Sequence, residues 1–123
     1  MRALAPIVLV AVLAGCAYTT EVRTAVDSKS AFDDAVYPGQ TVELNAPSPG
    51  GVPVYRVFQR GSSGFDALDN VRRGVEATAT AFCTRRGLAV RPLKERTSTP
   101  PHVMGNIPRV EWLFECSGAA KPS

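Results

Sequence analysis

Arg109-Val110-Glu111-Trp112-Leu113-Phe114-Glu115-Cys116 is the stretch on which the fold turns. Val110, Trp112, Phe114 and Cys116 fall on one side of an extended chain, with Arg109, Glu111 and Glu115 on the other. A period of two is the pattern of a half-buried strand, so the Glu side is expected to be wet and the aromatic side needs a cover. The cover lies upstream. With Leu68 at zero and 100° per residue, Val71, Val75, Ala79 and Phe82 lie within about 60° of it, and Phe65 and Cys83 form the other margin. One apolar stripe predicts an amphipathic helix from about 65 to 86. Ser63 is positioned to cap its start, Asp66 and Asp69 suit the positive end of its dipole, and Arg85-Arg86 before Gly87 suit its close. Arg72 falls inside the apolar sector. Either its head reaches water past the sheet edge, or the helix register is slightly different.

Two more strands flank the helix. Val52 to Gln59 is rich in Val, Tyr and Phe between Gly50-Gly51 and Arg60-Gly61-Ser62-Ser63-Gly64. Leu88 to Arg96 alternates around Pro92, which implies a strand that bends or sits at an edge. The turn-rich stretch 97–108 then leads into the Arg109 strand. The predicted fold is a small α+β sandwich of order β-α-β-β, one helix on a short sheet. Residues 17–51 hold few large apolar side chains and end in Ala46-Pro47-Ser48-Pro49-Gly50-Gly51, which reads as a flexible tether with a reach of roughly 30 Å. Thr41-Val42-Glu43-Leu44 is a candidate edge strand within it. The predicted organisation is a leader over 1–15, an N-terminus and tether over 16–51, a globular domain over 52–118 and a disordered tail over 119–123.

The leader has Arg2, an apolar run from Ala3 through Ala14, and then Leu13-Ala14-Gly15-Cys16. A spanning helix needs about 20 apolar residues, and this run is too short, so it reads as a secretory signal. Leu13-Ala14-Gly15-Cys16 resembles the bacterial lipobox. That resemblance implies cleavage before Cys16, a diacylglycerol thioether on its thiol, and fatty-acid (palmitate-type) acylation. Ala17 follows, where aspartate would resemble an inner-membrane retention signal, so the expected location is the outer membrane, facing the periplasm. The chain left after Gly15 has 108 residues, about 40% of them apolar, enough for one domain.

Three cysteines are an awkward number in an oxidising compartment. With Cys16 acylated, Cys83 and Cys116 remain as a pair. They are not in CxxC spacing and lack further ligands for a metal site, so a disulfide from helix margin to strand is expected, with two buried free thiols as the alternative. A cross-link closing about 33 residues is worth roughly 3–4 kcal/mol in the chain-entropy picture.

Ala81-Phe82-Cys83 before Arg86-Gly87, then Gly105-Asn106-Ile107-Pro108 leading into Val110 to Cys116, resembles small proteobacterial lipoproteins. These are similar in layout to the outer-membrane lipoprotein sensors of the Rcs envelope-stress pathway over roughly residues 65–117. Those sensors hold their fold with two disulfides, whereas this chain has cysteines for one. The resemblance implies an envelope setting and an α+β fold.

No glycine-rich phosphate loop, zinc spacing or dinucleotide fingerprint is present. His102, the sole histidine, lies in Thr99-Pro100-Pro101-His102 and reads as a solvated loop residue. Asp66/Asp69 and Glu111/Glu115 read as helix start and strand face rather than catalytic pairs. No catalytic residue, cofactor or metal is expected, and export argues against nucleic acid. Charge is uneven: residues 17–55 sum to −3 and 56–96 to +5. The expected function is a lipid-anchored periplasmic interaction module that docks an envelope protein, as a structural accessory or a stress sensor. The alternative is direct binding of anionic cell-wall or lipopolysaccharide material through Arg72, Arg73, Arg85, Arg86 and Arg91, and the third reading, ranked last, is an enzyme.

Overall fold

The computed structural model describes residues 18–120; the leader, Cys16 and the last three residues, with the expectations attached to them, lie outside these. In chain order the elements are β1 (Tyr18–Thr19), β2 (Arg23–Thr24), a 3-10 turn (Ala25–Asp27), β3 (Gln40–Glu43), β4 (Val54–Arg60), α1 (Leu68–Thr84), β5 (Leu88–Thr97) and β6 (Arg109–Ala119). The strands form one antiparallel sheet in the order β1-β4-β6-β5-β3, with β2 also paired along the outer side of β4. The architecture is α+β, one helix on one face of a six-stranded sheet. No helix among the described residues is long and apolar enough to cross a membrane.

Helix α1 buries Val71, Val75, Ala79 and Cys83, a ridge of i, i+4 spacing, against Val57, Val110, Trp112, Phe114 and Cys116. Tyr55, Phe82 and Phe114 meet there edge-on or tilted, with centroids 4.6–6.0 Å apart. The Gln59 side amide lies close over Gly74, so a Cβ there would require that side chain to shift. The Cys83–Cys116 disulfide is formed across a Cα separation of 5.3 Å and staples the helix end to the aromatic face of β6. The helix starts three residues later than the periodicity predicts. Asp66 takes hydrogen bonds from the backbone and hydroxyl of Ser62 and from the Ser63 backbone, which holds 61–66 in a loop. Those bonds, led by the Ser63 backbone, hold the Asp66 carboxyl below its ordinary pKa. The N-cap is therefore Ala67, without a side-chain cap, and Phe65 leaves the helix stripe for full solvent exposure. At the other end Gly87 closes the helix at φ 70°.

Pro92 sits in an interior strand, not at an edge. Phe114 of β6 stands opposite it on one side, but β3 ends opposite Lys94 and leaves no strand on the other, and a bulge between Pro92 and Lys94 bends β5 there.

The expected tether is not a tether. Residues 18–51 supply β1, β2 and the edge strand β3, and between them they cover the sheet face opposite the helix. Phe32, only 2% exposed, packs edge-on against Phe58 at 6.1 Å. The domain thus begins at least as early as Tyr18, and β6 continues through Ala119, with the Ala120 N–H donating to the Gly87 carbonyl at 3.2 Å. The tail expected from 119 is ordered at its first two residues.

Candidate functional site

Cross-strand register decides what stands on the second face. Glu111 lies opposite Phe58 of β4 and Arg96 of β5, Leu113 opposite Arg56 and Lys94, and Glu115 opposite Val54 and Arg91. Residues directly opposite share a face, so four cationic side chains stand with the two glutamates, and two of them, Arg56 and Arg91, pair with Glu111 and Glu115 directly.

Glu111 is 1% exposed rather than wet. Its Oε1 accepts from Ser30 Oγ at 2.8 Å and Arg56 Nη1 at 3.0 Å, and its Oε2 accepts from the Ala31 backbone N–H at 2.8 Å. Arg56 Nε also donates to Ser28 Oγ at 3.0 Å, and Arg96 Nη1 to Ser30 Oγ at 2.8 Å and Asp33 Oδ1 at 3.1 Å. One buried carboxylate therefore pins residues 28–33 onto the sheet. Burying it unpaired would be expensive, and one charged donor, Arg56, and two neutral ones, Ser30 and the Ala31 backbone, offset that cost. The next residue along, Phe32, lies beneath the guanidinium groups of Arg109 and Arg96, 4.9 and 5.5 Å from the ring centroid. Burial pushes the Arg109 pKa down from its usual value.

Glu115, fully buried, repeats the device at the other end of β6. It accepts from the Ser48 backbone N–H at 3.1 Å, from Ser48 Oγ, and from Arg91 Nη1 at 2.9 Å. Loss of water works to raise its pKa, but the Ser48 and Arg91 hydrogen bonds and the guanidinium charge outweigh that and hold it below the ordinary carboxylate value.

Beside Glu111 the covering chain leaves a cleft of about 650 Å³, lined by Tyr18, Thr20, Arg23, Lys29, Arg56 and Phe58 and floored by Glu111. A hollow of about 180 Å³ shares Arg56 and Glu111 and adds Lys94, Arg96 and Leu113. The cleft combines three cationic groups, Arg23, Lys29 and Arg56, and three carboxylates, Glu21, Asp27 and Glu111, with two aromatic rings. Such a lining suits docking of a polar chain segment. Glu111, closed off by its donors, holds the wall of the cleft in place.

The five arginines singled out from sequence do not share a surface. Arg91 is on the second face with Glu115. Arg72 donates through Nε to Glu95 at 3.0–3.1 Å and pairs with Asp69. Glu95 also accepts from Trp112 Nε1 at 2.8 Å, so the Arg72 head rests on a partner at the helix–sheet junction. Those hydrogen bonds to Glu95 raise the Arg72 pKa against the opposing effect of burial. Arg86 stacks on its own helix, 3.5 Å over the Phe82 ring, while Arg73 and Arg85 stand exposed. His102 is not free in solvent. Its Nε2 meets Ser98 Oγ at 2.8 Å, and that buried hydroxyl also accepts the Arg109 backbone N–H.

Arg56 and Arg96 were missed as site residues, although a signal existed. Arg56 shares strand parity with Phe58, and an aromatic residue on the nominally wet side of β4 implies that this side is covered. No family model, curated protein or solved structure matches this chain.

Proposed function

We propose that this protein is a lipid-anchored envelope interaction module, acylated at Cys16 and facing the periplasm from the outer membrane, whose docking surface is the cleft of the helix-free face. The observation that carries this reading is where the cleft lies. Its lining starts at Tyr18, two residues beyond Cys16, so a partner held there sits beside the anchored end. The partner is an envelope protein, and the role is that of a structural accessory or a stress sensor.

Photo-crosslinkers placed in living cells at Thr19 in the cleft, and at Thr80 on the exposed side of α1, test the surface. Capture of one protein from Thr19 and not from Thr80, unaffected by moderate salt, supports the reading. Capture from Thr80 alone refutes it. Salt-sensitive recovery on anionic polymer, abolished by Arg85→Glu and Arg86→Glu, would favour the cell-wall or lipopolysaccharide alternative instead. Radiolabelled palmitate entering the wild type and Cys16→Ser equally would remove the anchor.

A further inference from the structure

Among the described residues, nine large apolar side chains are exposed, and six of them, Tyr18, Val36, Tyr37, Phe65, Val103 and Met104, gather at one end of the sheet. The register brings them there. Tyr18 pairs with Arg60 at the end of β4, and the Gly61 N–H donates to the Pro108 carbonyl at 2.9 Å, which joins loop 61–67 to loop 98–108. Gln40 pairs with Thr97, so Val36 and Tyr37 precede β3 at this same end, and the Tyr37 hydroxyl donates to the Met104 carbonyl at 3.0 Å.

The loops are built rather than loose. Buried Asn106 donates to the carbonyls of Thr99 and Pro101 at 2.8 and 2.9 Å and accepts from Arg109 at 3.2 Å. Gly64 lies so close to the His102 carbonyl that a Cβ would stand 2.2 Å from that oxygen. Met104 is 91% exposed and held at φ 54°, a left-handed conformation costly for a bulky residue. Phe65, Val103, Met104 and Ile107 rim a hollow of about 320 Å³. Of the carboxylates near these residues in sequence, Asp66 is turned back onto Ser62 and Ser63, and Asp33 and Asp34 pair with Arg96 and Lys29. Exposed apolar clusters of this kind mark contact surfaces.

Where the chain leaves the domain identifies the occupant. Ala17 alone separates Tyr18 from Cys16, and two residue steps span at most about 7 Å. An acylated Cys16 therefore brings this end, and no other, to the lipid. We propose that Phe65, Val103 and Met104, flanked by Tyr18 and Tyr37, rest in the headgroup–acyl boundary of the bilayer that holds the N-terminal lipid, so that the domain stands on the membrane by its loop end. The proposal rests on the anchor reading above. Aromatic and apolar side chains partition into that boundary, and the contact needs no lipid charge.

Acylated full-length mature protein carrying Phe65→Trp or Thr84→Trp tests it, in vesicles of phosphatidylethanolamine and phosphatidylglycerol with or without dibrominated acyl chains. Thr84 lies at the far end of α1, about 25 Å away, and native Trp112 is buried under the helix. The expected result is a blue shift and loss of Phe65→Trp emission on dibrominated vesicles, unchanged in high salt, with Thr84→Trp unaffected. Adding Met104→Gly relieves the strained backbone, so thermal stability holds or rises while the quenching falls. Protein that floats with vesicles yet leaves Phe65→Trp unquenched overturns the membrane contact and leaves the anchor intact. Quenching that disappears in high salt, or a crosslinker at Val103 that captures a protein instead of lipid, also overturns it. Failure to float at all defeats the anchor reading itself, and the contact with it.

Discussion

Glu111 shows how one side chain can hold a segment that has little apolar surface of its own. Its oxygens take donors from Ser30, Ala31 and Arg56, so truncation leaves a guanidinium only 16% exposed facing an empty site. Removing one member of a buried pair costs far more than replacing both. Glu111→Ala is expected to lower stability by about 3–5 kcal/mol in urea unfolding. Glu111→Leu combined with Arg56→Met is expected to recover most of that loss. An unchanged midpoint for Glu111→Ala would mean that residues 28–33 are held by something else, for which Phe32 is the first candidate.

At the scale of elements, Glu115 clamps the stretch before β4 through Ser48, while Arg91 donates to both Glu115 and the Ala46 carbonyl. Because its pKa is lowered in the folded protein, the unfolded chain binds more protons at this site in acid. The stability it supplies is thus fully present above the ordinary value of about 4.3, and is lost as pH falls through the lower folded value. In urea titrations at a series of pH values, the wild-type midpoint should drop over this acidic window. Glu115→Gln should start lower at neutral pH and show a shallower decline, so the two curves converge. Parallel curves would exclude Glu115 as the titrating clamp. The disulfide works on another pair of elements, tying α1 to β6 on the opposite face.

For the whole molecule, the sheet is a middle layer with two unlike covers, an apolar helix on one side and a polar, ion-paired strap on the other. Deleting residues 18–51 uncovers Phe58 and strips Glu111 and Glu115 of their Ser30, Ala31 and Ser48 donors. A chain starting at Val52 is therefore expected to aggregate or unfold, even with Cys83 and Cys116 oxidised. A cooperative unfolding transition close to that of the longer chain, read by circular dichroism, would show that the strap is dispensable. The same layering places the two proposed contact surfaces: the cleft opens beside the strap, and the apolar loops project from the end at which Tyr18 lies.

Local periodicity by itself determined the helix stripe, the three long strands and their β-α-β-β order, while the pairing of Cys83 with Cys116 was an expectation that followed from setting Cys16 aside and that the structure decided. The periodic elements are decided by residues near one another in sequence, whereas the expected pairing rested on a count of thiols. Only the tertiary structure decided that Glu111 and Glu115 are buried, that the arginines separate onto two faces, and that residues 18–51 belong to the domain. A charged residue's environment depends on what stands opposite it. That is set by strand register and by side-chain hydrogen bonds between residues up to 81 positions apart, and a strap tied by hydrogen bonds to two carboxylates leaves no apolar period to read.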